Sequence, residues 1–107
     1  MENEEIISEI FKILSNPTRL KILKALKEEN LCQCELAEKL KENPVNISRA
    51  LSAFEKLDIV NTEKKGQRIF PEIKIEKIFE LLDLAEEISK EIVSSRLENY
   101  KKFLKKK

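Results

Sequence analysis

Histidine and tryptophan are absent, glycine occurs once, cysteine twice and proline three times in 107 residues. Without histidine the chain lacks the commonest general base, the commonest zinc ligand and the ordinary switch near neutral pH. One glycine is too few for the many tight turns of an all-β sandwich or barrel. Two cysteines in a Cys-x-Cys spacing do not make the disulfide framework of a small secreted domain, so reduced thiols are expected. No apolar run approaches the ~18 residues of a membrane span. The acidic start Met1-Glu2-Asn3-Glu4-Glu5 lacks the basic and apolar regions of a secretory signal. A cytoplasmic protein without a membrane partner is the expectation. No nucleophile elbow or Gly-rich phosphate loop is present, so the chain is not expected to be an enzyme.

What remains is 41% hydrophobic and 38% charged, enough apolar content for a core. The length suits one domain, residues 1–107. The net charge of +1 gives, as a total, no sign of a nucleic-acid binder. Its distribution is uneven. Residues 1–9 hold four Glu and no Lys or Arg, residues 10–70 hold twelve basic and eight acidic side chains, residues 71–95 three and seven, and residues 96–107 six and one. The middle of the chain is modestly basic.

Apolar residues recur at helical spacing over about 4–14 (Ile6, Ile7, Ile10, Phe11, Ile13, Leu14). Asn16-Pro17 then reads as a cap followed by a first helical residue, opening a helix to about Lys27. Leu31-Cys32-Gln33 is expected to be a short extended link. Cys34 to about Leu40 is a short helix, Lys41–Pro44 a turn, and about Val45–Leu57 a helix with Ile47, Ala50, Leu51, Phe54 and Leu57 on one face.

The period then changes to that of strands. Ile59–Glu63 and Arg68–Ile73 flank Lys64-Lys65-Gly66-Gln67, a hairpin whose turn holds the lone glycine, and Pro71 confines its strand to an edge or an end. From about Ile75 to Lys105 a helix of ~30 residues runs ~45 Å. A domain of this size has a radius of gyration near 13 Å, so it cannot cover the apolar stripe Ile78, Leu82, Ala85, Ile88, Ile92, Tyr100 and Leu104. A homodimer is expected, through the last helix (75–105) and the first (4–14), with Ile6, Ile10, Leu82, Ala85, Ile88 and Ile92 in its interface. The fold class is mostly α with a small β-hairpin, in the order α-α-α-α-β-β-α. Three helices followed by a hairpin describe a winged helix-turn-helix.

The segment 34–57 has helix-turn-helix proportions, with a wing over about 59–73. The first residues of a recognition helix point at base edges, and here Asn46, Ser48, Arg49 and Ser52 are polar and lie off the apolar face. Asn bonds adenine, and Arg guanine, at two points. Lys64, Lys65, Gln67 and Arg68 make the wing a candidate grip on phosphates or the minor groove of double-stranded DNA. A winged helix used only to bind another protein is the reading from a different class.

Leu14-Ser15-Asn16-Pro17-Thr18-Arg19-Leu20-Lys21-Ile22-Leu23, Leu31-Cys32-Gln33-Cys34-Glu35-Leu36, Asn46-Ile47-Ser48-Arg49-Ala50-Leu51 and Gly66-Gln67-Arg68-Ile69-Phe70 together resemble the ArsR/SmtB winged-helix repressors over residues 10–75. The resemblance implies a dimeric repressor that binds a DNA operator and dissociates when an inducer binds, with no cofactor required. It also implies that Cys32-x-Cys34 corresponds to that family's metal box. Two departures stand out: Ala50, where many relatives carry His, and Ala37, where arsenite-responsive relatives often carry a third Cys.

Cys32 and Cys34 are the only soft ligands. Cys34 is expected at a helix N-terminus, where the macrodipole favours the thiolate. Two thiolates can chelate one soft ion but cannot fill a tetrahedral zinc site, so any further sulfur must come from a second subunit. Three readings stand: an inducer such as As(III), a trivalent organoarsenical, Sb(III) or Cd(II); thiol oxidation or reactive sulfur; and cysteines that are merely small hydrophobes. Some relatives carry a zinc-type site on the last helix. Here Asp83, Glu86, Glu87 and Glu91 lack an imidazole, and carboxylates alone suit a hard ion.

Overall fold

Three side chains that cap or open helices set the boundaries of the first half of the chain. The computed structural model describes residues 3–106; Met1, Glu2 and Lys107, ends of the expected 1–107 domain, lie outside the described residues. Helix α1 spans Asn3–Leu14 and α2 Pro17–Glu28. Asn16 Oδ1 accepts hydrogen bonds from the backbone N–H of Thr18 at 2.8 Å and Arg19 at 3.3 Å, with Pro17 as the first helical residue. Helix α3 spans Gln33–Leu40 and α4 Pro44–Lys56, the latter capped by Asn43 Oδ1 accepting from the Val45 N–H at 2.8 Å. Strands β1 (Val60–Lys65) and β2 (Arg68–Ile73) pair antiparallel, and α5 covers Lys77–Lys105.

Both helices of the helix-turn-helix end in the same way. The Lys41 N–H donates to Glu38 O and that of Glu42 to Ala37 O; likewise Asp58 donates to Glu55 O and Ile59 to Phe54 O. These are Schellman motifs, whose turning residue is left-handed. Lys41 has φ 53° and Asp58 φ 57°, so two positions that favour glycine are held by other residues. The third left-handed residue is Gly66, φ +65°. As the first of two residues joining β1 to β2, and the only one of the pair with positive φ, it makes the type II′ pattern of a tight hairpin.

Residues up to Glu76 form one compact unit, and those from Lys77 onward form another. In the first unit, Ile13, Leu14, Ile22, Leu23, Leu36, Ile47, Leu51, Phe54 and Val60 are buried, and Phe54 is fully enclosed. The face of α4 that carries Ile47, Leu51 and Phe54 therefore builds the core, as its spacing predicts. Thr62 Oγ1 donates to Glu55 Oε1 at 2.5 Å, tying β1 to the last turns of α4.

Several expected boundaries shift. Gln33 is helical rather than part of an extended link, which makes Cys32 the N-cap of α3 and puts Cys34 second in the helix. The first strand starts at Val60, and Lys64 and Lys65 belong to β1 rather than to the turn, because the type II′ geometry needs only Gly66 and Gln67. The last helix begins at Lys77, leaving Ile75 outside. Ile78, expected to need a partner surface, is buried within the single chain, and Leu82 is half-buried.

In the second unit, α5 is a helix of 29 residues. Leu84, Ile88, Ile92, Val93, Leu97, Tyr100, Phe103 and Leu104 are all exposed. On α1, Ile6, Ile7 and Phe11 are exposed and Ile10 half-buried. Among the described residues no helix is long and apolar enough to cross a membrane.

Candidate nucleic-acid interface and thiol pair

Burying Ile47, Leu51 and Phe54 turns the other side of α4 outward. Asn46, Ser48, Arg49 and Ser52 are all exposed there, as their positions off the apolar face predict. The exposed Val45 joins them in the first turn. Among the described residues Arg49 makes no hydrogen bond or ion pair. Its guanidinium donors are open to a ligand.

Lys64, Lys65, Gln67 and Arg68 are exposed in the hairpin. Lys65 faces Arg68 across the ladder, and Lys64 faces Ile69. The Lys65 ammonium lies 5.4 Å from the Phe70 ring centroid, a cation–π distance that restrains one of the wing's charges.

Cys32 and Cys34 come together at the start of α3, their sulfurs 2.9 Å apart. Cys32 is wholly covered yet shallow, while Cys34 is exposed. Burial first, then the hydrogen bond with Cys34, pushes the Cys32 thiol above its ordinary value of 9.0. The Glu35 carboxylate accepts a hydrogen bond from the Cys32 N–H at 3.0 Å. That bond, with help from the Cys32 side chain and more weakly from the charge of Arg68, holds Glu35 below its usual 4.5. Glu35 therefore belongs to the thiol pair, although only its place three residues after the N-cap could have signalled it.

Two sulfurs on one tetrahedral ion at ~2.3 Å would lie ~3.8 Å apart. The pair must open by about 0.9 Å to share such an ion, and the exposed Cys34 is the side chain with room to move. Among the described residues no group of three or more His, Cys, Asp or Glu side chains could hold a metal ion. Asp83, Glu86, Glu87 and Glu91 on α5 thus form no such cluster.

One further feature escaped the sequence reading. Asn16, Thr18 and Arg19 at the α2 start, Glu42 of the turn after α3, and Asn46 and Arg49 of α4 line a polar cavity of about 250 Å³. Two arginines thirty residues apart give no local signal in the sequence.

The model of the arsR family of bacterial regulatory proteins matches residues 16–62. An HTH-type transcriptional regulator of Methanocaldococcus jannaschii, MJ1325, is 37% identical over 82% of this chain and 100% of its own length. The cadmium resistance transcriptional regulatory protein CadC of Listeria innocua is 35% identical over 82% of this chain and 75% of its own. Among solved structures, the antimony-specific transcriptional repressor AntR superposes with a TM-score of 0.72 at 28% identity, covering 87% of this chain and 84% of that one. Family and fold are those of DNA-binding regulators rather than enzymes. With its helix-turn-helix, wing and flanking helices in this order, the chain belongs to the ArsR family of winged-helix transcriptional regulators.

Proposed function

We propose that this regulator is a homodimeric repressor whose operator is released when a soft metal or metalloid, As(III) foremost, bridges Cys32 and Cys34. The observation that carries the reading is the pair of sulfurs 2.9 Å apart at the start of α3, one of them exposed. A thiophilic ion bound there opens the pair by moving Cys34 and the first turn of α3, next in the chain to the reading helix α4. Any third sulfur comes from a second subunit, because the chain has two cysteines. Relatives named for cadmium resistance and for antimony specificity support this class of inducer.

In this reading Asn46, Ser48, Arg49 and Ser52 meet base edges in the major groove, and Lys64, Lys65, Gln67 and Arg68 meet the backbone or minor groove. Dimerisation through Ile6, Ile10, Leu82, Ala85, Ile88 and Ile92 sets two half-sites about 34 Å apart. A coupling of about 1–3 kcal/mol between thiols and DNA weakens binding about 5- to 150-fold.

The test is a DNA-binding assay on the region upstream of the chain's own coding sequence, with As(III), Cd(II) and hydrogen peroxide as separate additions. Wild type is released by As(III) or Cd(II); Cys32→Ser and Cys34→Ser bind equally well but stay bound. Release of the double variant as readily as wild type defeats the sensor reading. Release by peroxide alone transfers it to thiol oxidation.

A further inference from the structure

The cavity between the starts of α2 and α4 is used neither by the base-reading residues alone nor by the thiols. Its volume is about 250 Å³, and its lining includes the guanidinium-bearing Arg19 and Arg49 together with Thr18, Asn46 and Glu42. Arg19 is half-buried, which limits its freedom before any ligand arrives. One of its five donors reaches the Ile13 carbonyl at 3.4 Å. Among the described residues its remaining donors meet no protein acceptor. Asn16 Oδ1 is already engaged by the Thr18 and Arg19 amides, so the free donors in the cavity are side chains.

Position gives these donors a ligand. When the first turn of α4 enters a major groove, whatever flanks that turn lies over the groove wall, which is a row of phosphates. We propose that this cavity receives a backbone phosphate of duplex DNA, held by the Arg19 guanidinium and the Thr18 hydroxyl, with Arg49 adding positive field. A planar fork matched to phosphate oxygens suits this task better than a point charge. The proposal rests on the DNA-reading role of α4 and adds to it a contact outside the recognition helix and the wing. Phosphate contacts fix register and carry no sequence information. Arg19 therefore sets how firmly, and in what orientation, α4 is seated. Glu42, on the same cavity, opposes the anion and moderates affinity.

The experiment measures binding of the full chain to two duplexes, one from upstream of its coding sequence and one of mixed sequence, between about 50 and 200 mM salt. For Arg19→Gln the slope of log K against log salt falls by about 0.9, the release of one phosphate's counterion. Both duplexes weaken by the same factor, about tenfold at low salt. Asn46→Ala weakens the upstream duplex alone. Glu42→Gln tightens both, and reports on the cavity even where Arg19→Gln fails to fold. An unchanged slope for an Arg19→Gln protein that melts like wild type overturns the inference, as does an inert Glu42→Gln. Competition by inorganic phosphate at constant ionic strength, lost in Arg19→Gln, is expected of a site the duplex occupies; phosphate binding that depends on Arg19 but leaves duplex affinity unchanged assigns the cavity to free phosphate and overturns the inference. Wild type that binds neither duplex defeats the DNA-reading role itself.

Discussion

The Glu35 carboxylate accepts a hydrogen bond from the backbone N–H of Cys32 at 3.0 Å, closing the start of α3. The bond lowers the Glu35 pKa from 4.5, so its contribution to stability is fully present above pH 4.5 and is lost as pH falls through the lowered value. Denaturant unfolding of wild type therefore weakens on the acid side of 4.5. The Glu35→Gln variant, with no carboxylate to protonate there, shows a shallower acid slope. Equal slopes for the two proteins refute the assignment.

At the alkaline end Cys32 acts in the opposite sense. Its raised pKa means that the thiol's contribution is fully present below pH 9.0 and is lost as pH rises from there through the raised value. The same burial protects it from reagents. Iodoacetamide at mildly alkaline pH alkylates the exposed Cys34 first, as read by mass spectrometry, and the two cysteines react alike only in denaturant. Faster labelling of Cys32 in the folded protein contradicts the placement.

Three left-handed residues offer a matched set of substitutions. Lys41→Gly relieves the φ 53° strain at the end of α3 and raises stability by about 0.5–1 kcal/mol in chemical denaturation. Gly66→Ala moves the other way by about 1–2 kcal/mol. A methyl group there meets nothing within 4 Å, so φ +65° is the whole reason for the loss. A neutral Gly66→Ala shows that the turn rearranges at no cost.

The exposed row on α5 has its own test. Under the proposed dimer, Ile88→Asp places a charge in an apolar interface, and sedimentation shows a concentration-dependent shift toward monomer. The circular-dichroism spectrum at monomer concentrations stays helical. Wild type that sediments as a monomer at all concentrations rejects the dimer.

Element order, the capping roles of Asn16 and the inward face of α4 were legible because each follows from side-chain type at fixed spacing. The outward placement of Asn46, Ser48, Arg49 and Ser52 followed from the same pattern. Ends were less legible where the deciding force is backbone hydrogen bonding. The Schellman turns at Lys41 and Asp58 carry no glycine, so nothing in composition announced them. Cys32 as an N-cap was hidden for a similar reason, since cysteine is not a preferred capping residue. The cavity at Arg19 was invisible because it joins segments remote in sequence.

The hydrogen bond from Thr62 Oγ1 to Glu55 and the backbone bond from Ile59 to Phe54 fasten the hairpin to the end of α4. These two bonds act as a hinge pin at the base of the hairpin. Under the proposed DNA-binding role, a tilt of α4 is passed first to the start of β1, so the wing's Lys64 and Arg68 follow the reading helix through that pin.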